Sequence, residues 1–91
     1  MQQKNEKTQE LAQNLGFLIR ELRINKLGYS INKFAHEYDL DVGNTCRVEN
    51  GTIDVKFVTL WKISEALGIT LSELVKLLET KMTKEFHFYD I

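Results

Sequence analysis

The sequence predicts a nearly all-α protein, built as one small domain of five helices with a short tail at each end. Three features favour this fold class. The 91 residues contain no proline, which is the strongest helix breaker, and 43% of them are apolar, enough for one modest core. Apolar residues recur at helical spacing in five segments. Glycines and helix-capping residues separate these segments.

The first predicted helix has some of the clearest periodicity in the chain. One face carries apolar residues at helical spacing: Leu11, Leu15, Leu18, Ile19 and Leu22. Thr8 is the candidate N-cap, and Gly28 is the expected end because glycine adopts the left-handed conformation common at helix C-termini. We therefore divide the chain into a frayed tail over 1–7, a folded domain over 8–82 and a C-terminal tail over 83–91.

Two short helices are predicted in the middle of the chain. Ser30 precedes the first and Asp41 the second, and each side chain can accept hydrogen bonds from free backbone N–H groups. The apolar positions are Phe34, Ala35 and Tyr38 in the first helix and Thr45 and Val48 in the second. Helices this short are barely stable alone, so those positions must be buried against other parts of the chain. Two such helices with a tight turn between them predict a helix-turn-helix.

Two further helices complete the predicted core. The fourth spans Lys56 to Leu67 and includes Val58, Trp61 and Ile63, of which we expect the large Trp61 to lie in the core. Thr70 and Glu73 form a capping box at the start of the fifth helix. Its apolar positions are Leu71, Leu74, Val75 and Leu78. Gly16 and Gly43 lie inside helices, where each costs about 1 kcal/mol relative to alanine, unless a close backbone approach requires them.

The C-terminal tail differs from the rest of the chain. Phe86 and Phe88 alternate with Glu85 and His87, a pattern typical of an extended segment with one apolar face. Such a tail either folds back over its own domain, pairs with a second subunit or another protein partner, or stays disordered.

Composition excludes several classes of function. Cys46 is the single cysteine, so no intrachain disulfide forms, and Cys46, His36 and His87 are too dispersed for a metal site. No catalytic or phosphate-binding motif is present, so we expect neither an enzyme nor a cofactor. No apolar run is long enough to cross a membrane, and Met1 to Glu10 does not resemble a signal peptide, so we expect a cytoplasmic protein.

The central motif resembles a known family. Ser30-x-x-x-Phe34-Ala35, the turn at Leu40-Asp41 and the run Arg47-Val48-Glu49-Asn50-Gly51 are similar to the phage-repressor (cI and Cro) or XRE-like helix-turn-helix family of DNA-binding proteins. The resemblance extends from Leu15 to Leu74. It implies a five-helix lambda-repressor-like domain and a small transcriptional regulator, a repressor, that binds double-stranded DNA sequence-specifically. The second helix of the motif, about 42–50, would enter the major groove.

The resemblance also implies roles for individual residues. The base-contacting positions are Val42, Gly43, Asn44 and Arg47, the phosphate-contacting positions are Ser30 and Asn50, and the structural ion pair is Arg23 with Glu49. Tyr29, Lys33 and Lys56 are further phosphate-contacting candidates, since with Ser30, Asn50 and the N-termini of the second and fourth helices they could line one surface. Arg47 suits guanine and Asn44 suits adenine, by the acceptors and donors that these bases show in the major groove. Ile31 and Val42 stand where relatives often have polar residues, and the stretch from Arg23 to Ser30 is one residue longer than usual.

The net charge of the chain and the short length of its second motif helix indicate how it would bind DNA and whether it would form a dimer. The net charge is −1, so DNA affinity has to come from where the cations lie instead of from their number. One short helix contacts only a few base pairs, so we expect a homodimer on a pseudo-palindromic site. The alternative is a protein-interaction module on the same fold, such as an antitoxin or an antagonist of another regulator, which the near-neutral charge and the apolar tail favour.

Overall fold

The protein is described by a computed structural model over residues 6–89, and these residues form the all-α fold that the sequence predicts. The five helices are α1 (Glu6–Leu22), α2 (Ile31–Glu37), α3 (Val42–Glu49), α4 (Phe57–Ala66) and α5 (Leu71–Lys81). Residues 6–89 contain no β-strand. Within the same range, no helix is long and apolar enough to cross a membrane.

The start of α1 differs from the prediction. Glu6 and Lys7 are already helical, and Thr8 is the third described residue of the helix, so it is not the N-cap. The helix extends upstream of Thr8 through polar residues, which show no apolar periodicity that would have predicted it. The predicted frayed tail lies outside the described residues over 1–5.

The end of α1 explains the extra residue before the second helix. α1 continues directly into a π-helical turn, Arg23–Leu27. A π-helical turn accommodates one residue more than an α-helical turn does. It ends at Gly28, as predicted, where φ is +68° and the backbone N–H donates to the carbonyls of Arg23 and Ile24, both at 3.0 Å.

The predicted caps begin three of the other helices. Ser30 Oγ accepts from the Lys33 N–H at 3.1 Å, and Asp41 Oδ2 accepts from the Asn44 N–H at 2.7 Å. Thr70 and Glu73 form the reciprocal capping box, with bonds of 3.1 and 2.8 Å. Local sequence therefore specifies where α2, α3 and α5 begin.

The core lies between α1 and the other helices. All five helices contribute buried apolar residues: Leu15, Leu18, Ile19, Phe34, Ala35, Val48, Ile63, Ala66, Leu74 and, at the α4 C-cap, Leu67. α1 packs against α3 and α5, α2 packs against α3, and α4 packs against α5. The short helix α3 is thus held by burial against α1, and α2 by burial against α3, and neither is held by its own length.

Trp61 is not in the core, which corrects the prediction. Its side chain is 48% exposed, and Phe57 and Val58 beside it are 65% and 64% exposed. Ile63 is fully buried on the inner face of α4, and two residues along a helix correspond to a rotation of about 200°, so Trp61 must point the opposite way. α4 therefore has two apolar faces, and the outer one consists of Phe57, Val58 and Trp61. Tyr38 and Val75, also predicted as apolar positions, are exposed.

Gly16 lets α1 approach the end of α3 very closely. A Cβ atom at Gly16 would lie 2.4 Å from the carbonyl oxygens of both Val48 and Glu49. Gly51 makes a second such contact: its φ is +70°, and a Cβ atom there would lie 2.7 Å from the Gln13 Cα. The close approach that was expected to explain a helical glycine is thus present at Gly16. It is not present at Gly43, where the nearest atoms, side-chain atoms of Arg47 and Asp41, would lie 3.5 Å away.

The described part of the C-terminal tail bends back and is not extended. The Phe86 N–H donates to the Thr83 carbonyl at 3.0 Å, which closes a turn. Half-buried Phe86 lines a cavity with Leu11 of α1 and with residues of α5, and the Lys7 ammonium donates to the His87 carbonyl. The tail therefore contacts its own domain at the start of α1 and the end of α5.

The two helical glycines should respond to alanine in opposite directions. Gly16→Ala is expected to lower the free energy of unfolding by about 1–3 kcal/mol, because the new methyl group meets rigid backbone of α3. Gly43→Ala is expected to raise it by about 0.5–1 kcal/mol, because the site has room and alanine favours a helix. Urea titration followed by circular dichroism measures both. Equal effects of the two changes would contradict the close α1–α3 contact.

Candidate nucleic-acid interface

An ion pair between Arg23 and Glu49 fixes the position of the helix that carries the candidate base contacts. Arg23 Nε and NH2 donate to the two carboxylate oxygens of Glu49, each at 2.8 Å. Arg23 NH1 donates to the Tyr29 carbonyl at 2.7 Å. Glu49 is only 4% exposed and Arg23 only 8%. One guanidinium thus joins the end of α1 to the end of α3 and to the loop before α2.

The ion pair also settles the charge of Arg23. The hydrogen bonds to Glu49 raise the pKa of Arg23 above its ordinary value, and they outweigh the burial that lowers it. Arg23 therefore stays protonated, and its positive charge cancels the buried negative charge of Glu49. As a result, the one carboxylate at the C-terminal end of α3 does not present an uncompensated negative charge to an approaching polyanion.

The N-terminal half of α3 faces solvent. Val42, Gly43 and Arg47 are exposed and Asn44 is half-buried, while Thr45 and Val48 on the opposite side are buried. The Arg47 guanidinium lies over Gly43, with Nη1 3.5 Å from the position that a Cβ atom would take. The four candidate base contacts thus share the outward side of one short helix.

Three of the candidate phosphate contacts lie together at the start of α2. Ser30 caps the Lys33 N–H, and the Lys33 ammonium lies 4.6 Å from the centre of the Tyr29 ring. Ser30 and Lys33 are exposed, and Tyr29 is half-buried. This group offers a hydroxyl, an ammonium and a phenol on one short stretch of surface.

The other two candidates, Asn50 and Lys56, flank the loop between α3 and α4. Both are exposed. Lys56 is the N-cap of α4 and provides no side-chain cap, so its side chain does not satisfy the N–H groups of the first turn of α4. Asn50 accepts a hydrogen bond from Arg20 NH2 at 3.2 Å. Sequence reasoning missed Arg20, since nothing in a helical pattern indicates that it meets Asn50, thirty residues away in the chain.

The described residues contain neither a group of metal ligands nor an unpaired buried polar side chain. Among residues 6–89 no group of histidine, cysteine, aspartate and glutamate side chains could hold a metal ion. Each buried side-chain nitrogen or oxygen in that range has a hydrogen-bond partner.

Comparison with known proteins gives consistent matches. A family model described as "Helix-turn-helix" matches residues 19–74. The control protein C.MunI of Mycoplasma sp. is 46% identical over 59 residues, which cover 65% of this chain and 80% of that protein.

A solved structure matches the fold. The clp gene regulator ClgR from C. glutamicum superposes with a TM-score of 0.71, covering 82% of this chain and 96% of that chain, at 23% sequence identity. At this identity the likeness concerns the fold alone.

Glu49→Gln is expected to lower the free energy of unfolding by about 3 kcal/mol, because it leaves the Arg23 charge buried without a counterion. For a domain of this size the melting temperature should fall by about 12 °C or more. Thermal denaturation followed by circular dichroism gives the value.

The matched control is Glu21→Gln on α1, where Glu21 pairs with Lys81 at 3.4 Å on the surface. Removing that exposed pair should change stability by less than about 1 kcal/mol. Indistinguishable melting curves for the two variants would contradict the structural role of the buried pair.

Proposed function

The chain belongs to the helix-turn-helix family and is a DNA-binding regulator of transcription, and from that membership we propose that it recognises a specific duplex sequence by inserting α3 into the major groove. The observation that carries the proposal is the two-sided character of α3. Its inner side is anchored by Thr45, Val48 and the Glu49 ion pair, while Arg47 projects outward. A rigidly held helix with a free polar side can enter a groove without losing conformational freedom.

Arg47 is the principal base contact in this proposal. Its guanidinium is exposed and can donate two hydrogen bonds to guanine, whose O6 and N7 atoms accept them in the major groove. Asn44, one turn earlier on the same helix, suits adenine. Val42 and Gly43 contribute no hydrogen bonds from their side chains. We expect these small residues to let α3 approach the bases closely and to contact a thymine methyl group at most.

Phosphate contacts supply most of the affinity and hold α3 in register. Tyr29, Ser30 and Lys33 at the start of α2 form one group, and Lys56 with the first turn of α4 forms another. Backbone N–H groups at a helix N-terminus and an adjacent lysine are donors that suit a phosphate. Contacts from both sides of the motif agree with a duplex that passes across α3.

Two copies bind one site in this proposal, and the outer face of α4 provides the contact between them. Phe57 and Trp61 pack edge to face with ring centres 5.8 Å apart, and about half or more of each side chain stays exposed. Lys62 and Glu65, of opposite charge, lie beside this face, and Glu65 accepts from the Trp61 indole at 3.0 Å. A symmetric contact places the same patch against itself, and a rim of mixed charge allows that without like charges meeting. A second copy is therefore the occupant that fits.

Similarity to a control protein supports the regulatory role. The alternative of a protein-interaction module finds no support among the comparisons. DNA-binding regulation of transcription is therefore the function that these matches favour.

Arg47→Ala is expected to reduce discrimination between the selected site and random duplex, because it removes a guanine contact worth about 1–3 kcal/mol in each copy. Lys56→Ala should instead weaken binding to both duplexes by a similar factor. Fluorescence anisotropy with a duplex selected from a random library measures both. Failure of the wild-type protein to bind any duplex at low salt would refute the proposal.

Trp61→Glu is expected to convert the protein from dimer to monomer, because it places a charge at the centre of the contact between copies. Sedimentation equilibrium over a range of concentrations measures the mass. Leu77→Glu is the matched control, since Leu77 is also an exposed apolar residue but lies on α5. Retention of the dimer in Trp61→Glu, or its loss in Leu77→Glu alone, would place the contact elsewhere.

A further inference from the structure

The buried ion pair does not neutralise the positive charge of Arg20. Glu49 receives both of its short bonds from Arg23, and Arg20 Nε lies farther from Glu49 Oε1, at 3.6 Å. The Arg20 side chain is 46% exposed, whereas that of Glu49 is 1% exposed. The three charged groups therefore carry one net positive charge, and it is located at the surface on Arg20.

Arg20 also orients Asn50, the C-cap of α3. Arg20 NH2 donates to Asn50 Oδ1 at 3.2 Å, so the acceptor side of the amide faces the guanidinium. The Nδ2 group, with its two hydrogens, is then directed away from Arg20. Because a guanidinium cannot accept a hydrogen bond, this contact also decides which end of the amide is oxygen. The groups of the pair that this bond leaves free on the guanidinium and on Nδ2 are all donors.

A set of donors with one positive charge fits a phosphate group. A guanidinium binds phosphate oxygens in a forked geometry, and an amide N–H adds a further donor. Asn50 lies at the opposite end of α3 from Val42 and Asn44, the end that passes over the DNA backbone when the N-terminal end contacts bases. The ligand that this geometry favours is therefore a phosphodiester of the bound duplex.

We propose that Arg20 and Asn50 together form a phosphate clamp, the Arg20–Asn50 clamp, in which Arg20 contacts the DNA backbone directly. The proposal rests on the DNA-binding function proposed above and adds to it a contact from α1. The buried Arg23–Glu49 pair supports the clamp, because it fixes the distance between α1 and the end of α3. Arg20 thus makes a contact with the DNA, and Arg23 and Glu49 are positioning residues.

The first test measures how affinity depends on salt. Arg20→Gln should weaken binding ~10-fold on selected and random duplexes alike, as expected for loss of a hydrogen bond to a charged group. Between about 50 and 200 mM salt, the slope of log K against log salt should become shallower by about 0.9 for each bound copy. Arg20→Lys should keep that slope because it keeps the charge. The matched control is Lys76→Gln on α5, which removes one exposed cation and should change neither quantity.

The second test separates DNA contact from structural support. Asn50→Asp keeps the oxygen that accepts from Arg20 but replaces the amide donor with a negative charge. Because one hydrogen bond to the DNA is lost and one repulsion is gained, this variant should bind DNA more than 10-fold more weakly. Its melting temperature should stay that of the wild-type protein. Arg20→Gln should likewise keep its melting temperature, because Arg23 still neutralises Glu49.

The outcomes are distinguishable. If the wild-type protein binds duplex DNA but Arg20→Gln behaves like Lys76→Gln, the clamp is refuted and the proposed function stands. If Arg20→Gln loses stability as Glu49→Gln does and keeps the wild-type salt slope, Arg20 is only structural and the clamp is refuted as well. If the wild-type protein binds no duplex at all, the proposed function itself fails.

Discussion

The Arg23–Glu49 ion pair is the interaction on which the rest of the structure depends. The helix-turn-helix consists of two helices of seven and eight residues, too short to be stable without tertiary contacts. Arg23 binds both oxygens of Glu49 at the end of α3 and the Tyr29 carbonyl before α2. A buried pair of this kind contributes little net stability because both charges lose their hydration, but its geometry is specific. Its effect here is to hold the motif at one distance from α1.

Close packing around this pair reinforces that constraint. At Gly16 the backbones of α1 and α3 meet without an intervening side chain, and at Gly51 the chain leaves α3 in a conformation that glycine favours. Gly16 meets the carbonyl oxygens of Val48 and Glu49, and Gly51 follows Glu49 by two residues. Any larger residue at either site would push α3 outward and lengthen the hydrogen bonds of the ion pair. The contacts and the ion pair therefore depend on each other.

The arrangement also explains how a chain with a net charge of −1 can approach DNA. The carboxylate closest to the C-terminal end of α3 is buried and neutralised, while Arg47, Lys33 and Lys56 stay exposed on the motif or its flanks. Electrostatic attraction depends on local potential and not on the total charge. α4 also has two apolar faces, since its inner face completes the core and its outer face stays exposed.

Local chemistry in the sequence determined where α2, α3 and α5 begin, because caps such as Ser30, Asp41 and Thr70 act within four residues of themselves. It also determined the fold class and the outward set on α3, which follow from spacing and from the family resemblance. Sequence could not decide between the two apolar faces of α4, since hydrophobicity alone favours burying Trp61 as much as Ile63, and only the packing of α4 on α5 and the core selects one. It could not reveal that Arg20 meets Asn50, or that Gly16 is required while Gly43 is not. Those facts depend on distances between residues far apart in the chain, and only the tertiary structure sets them.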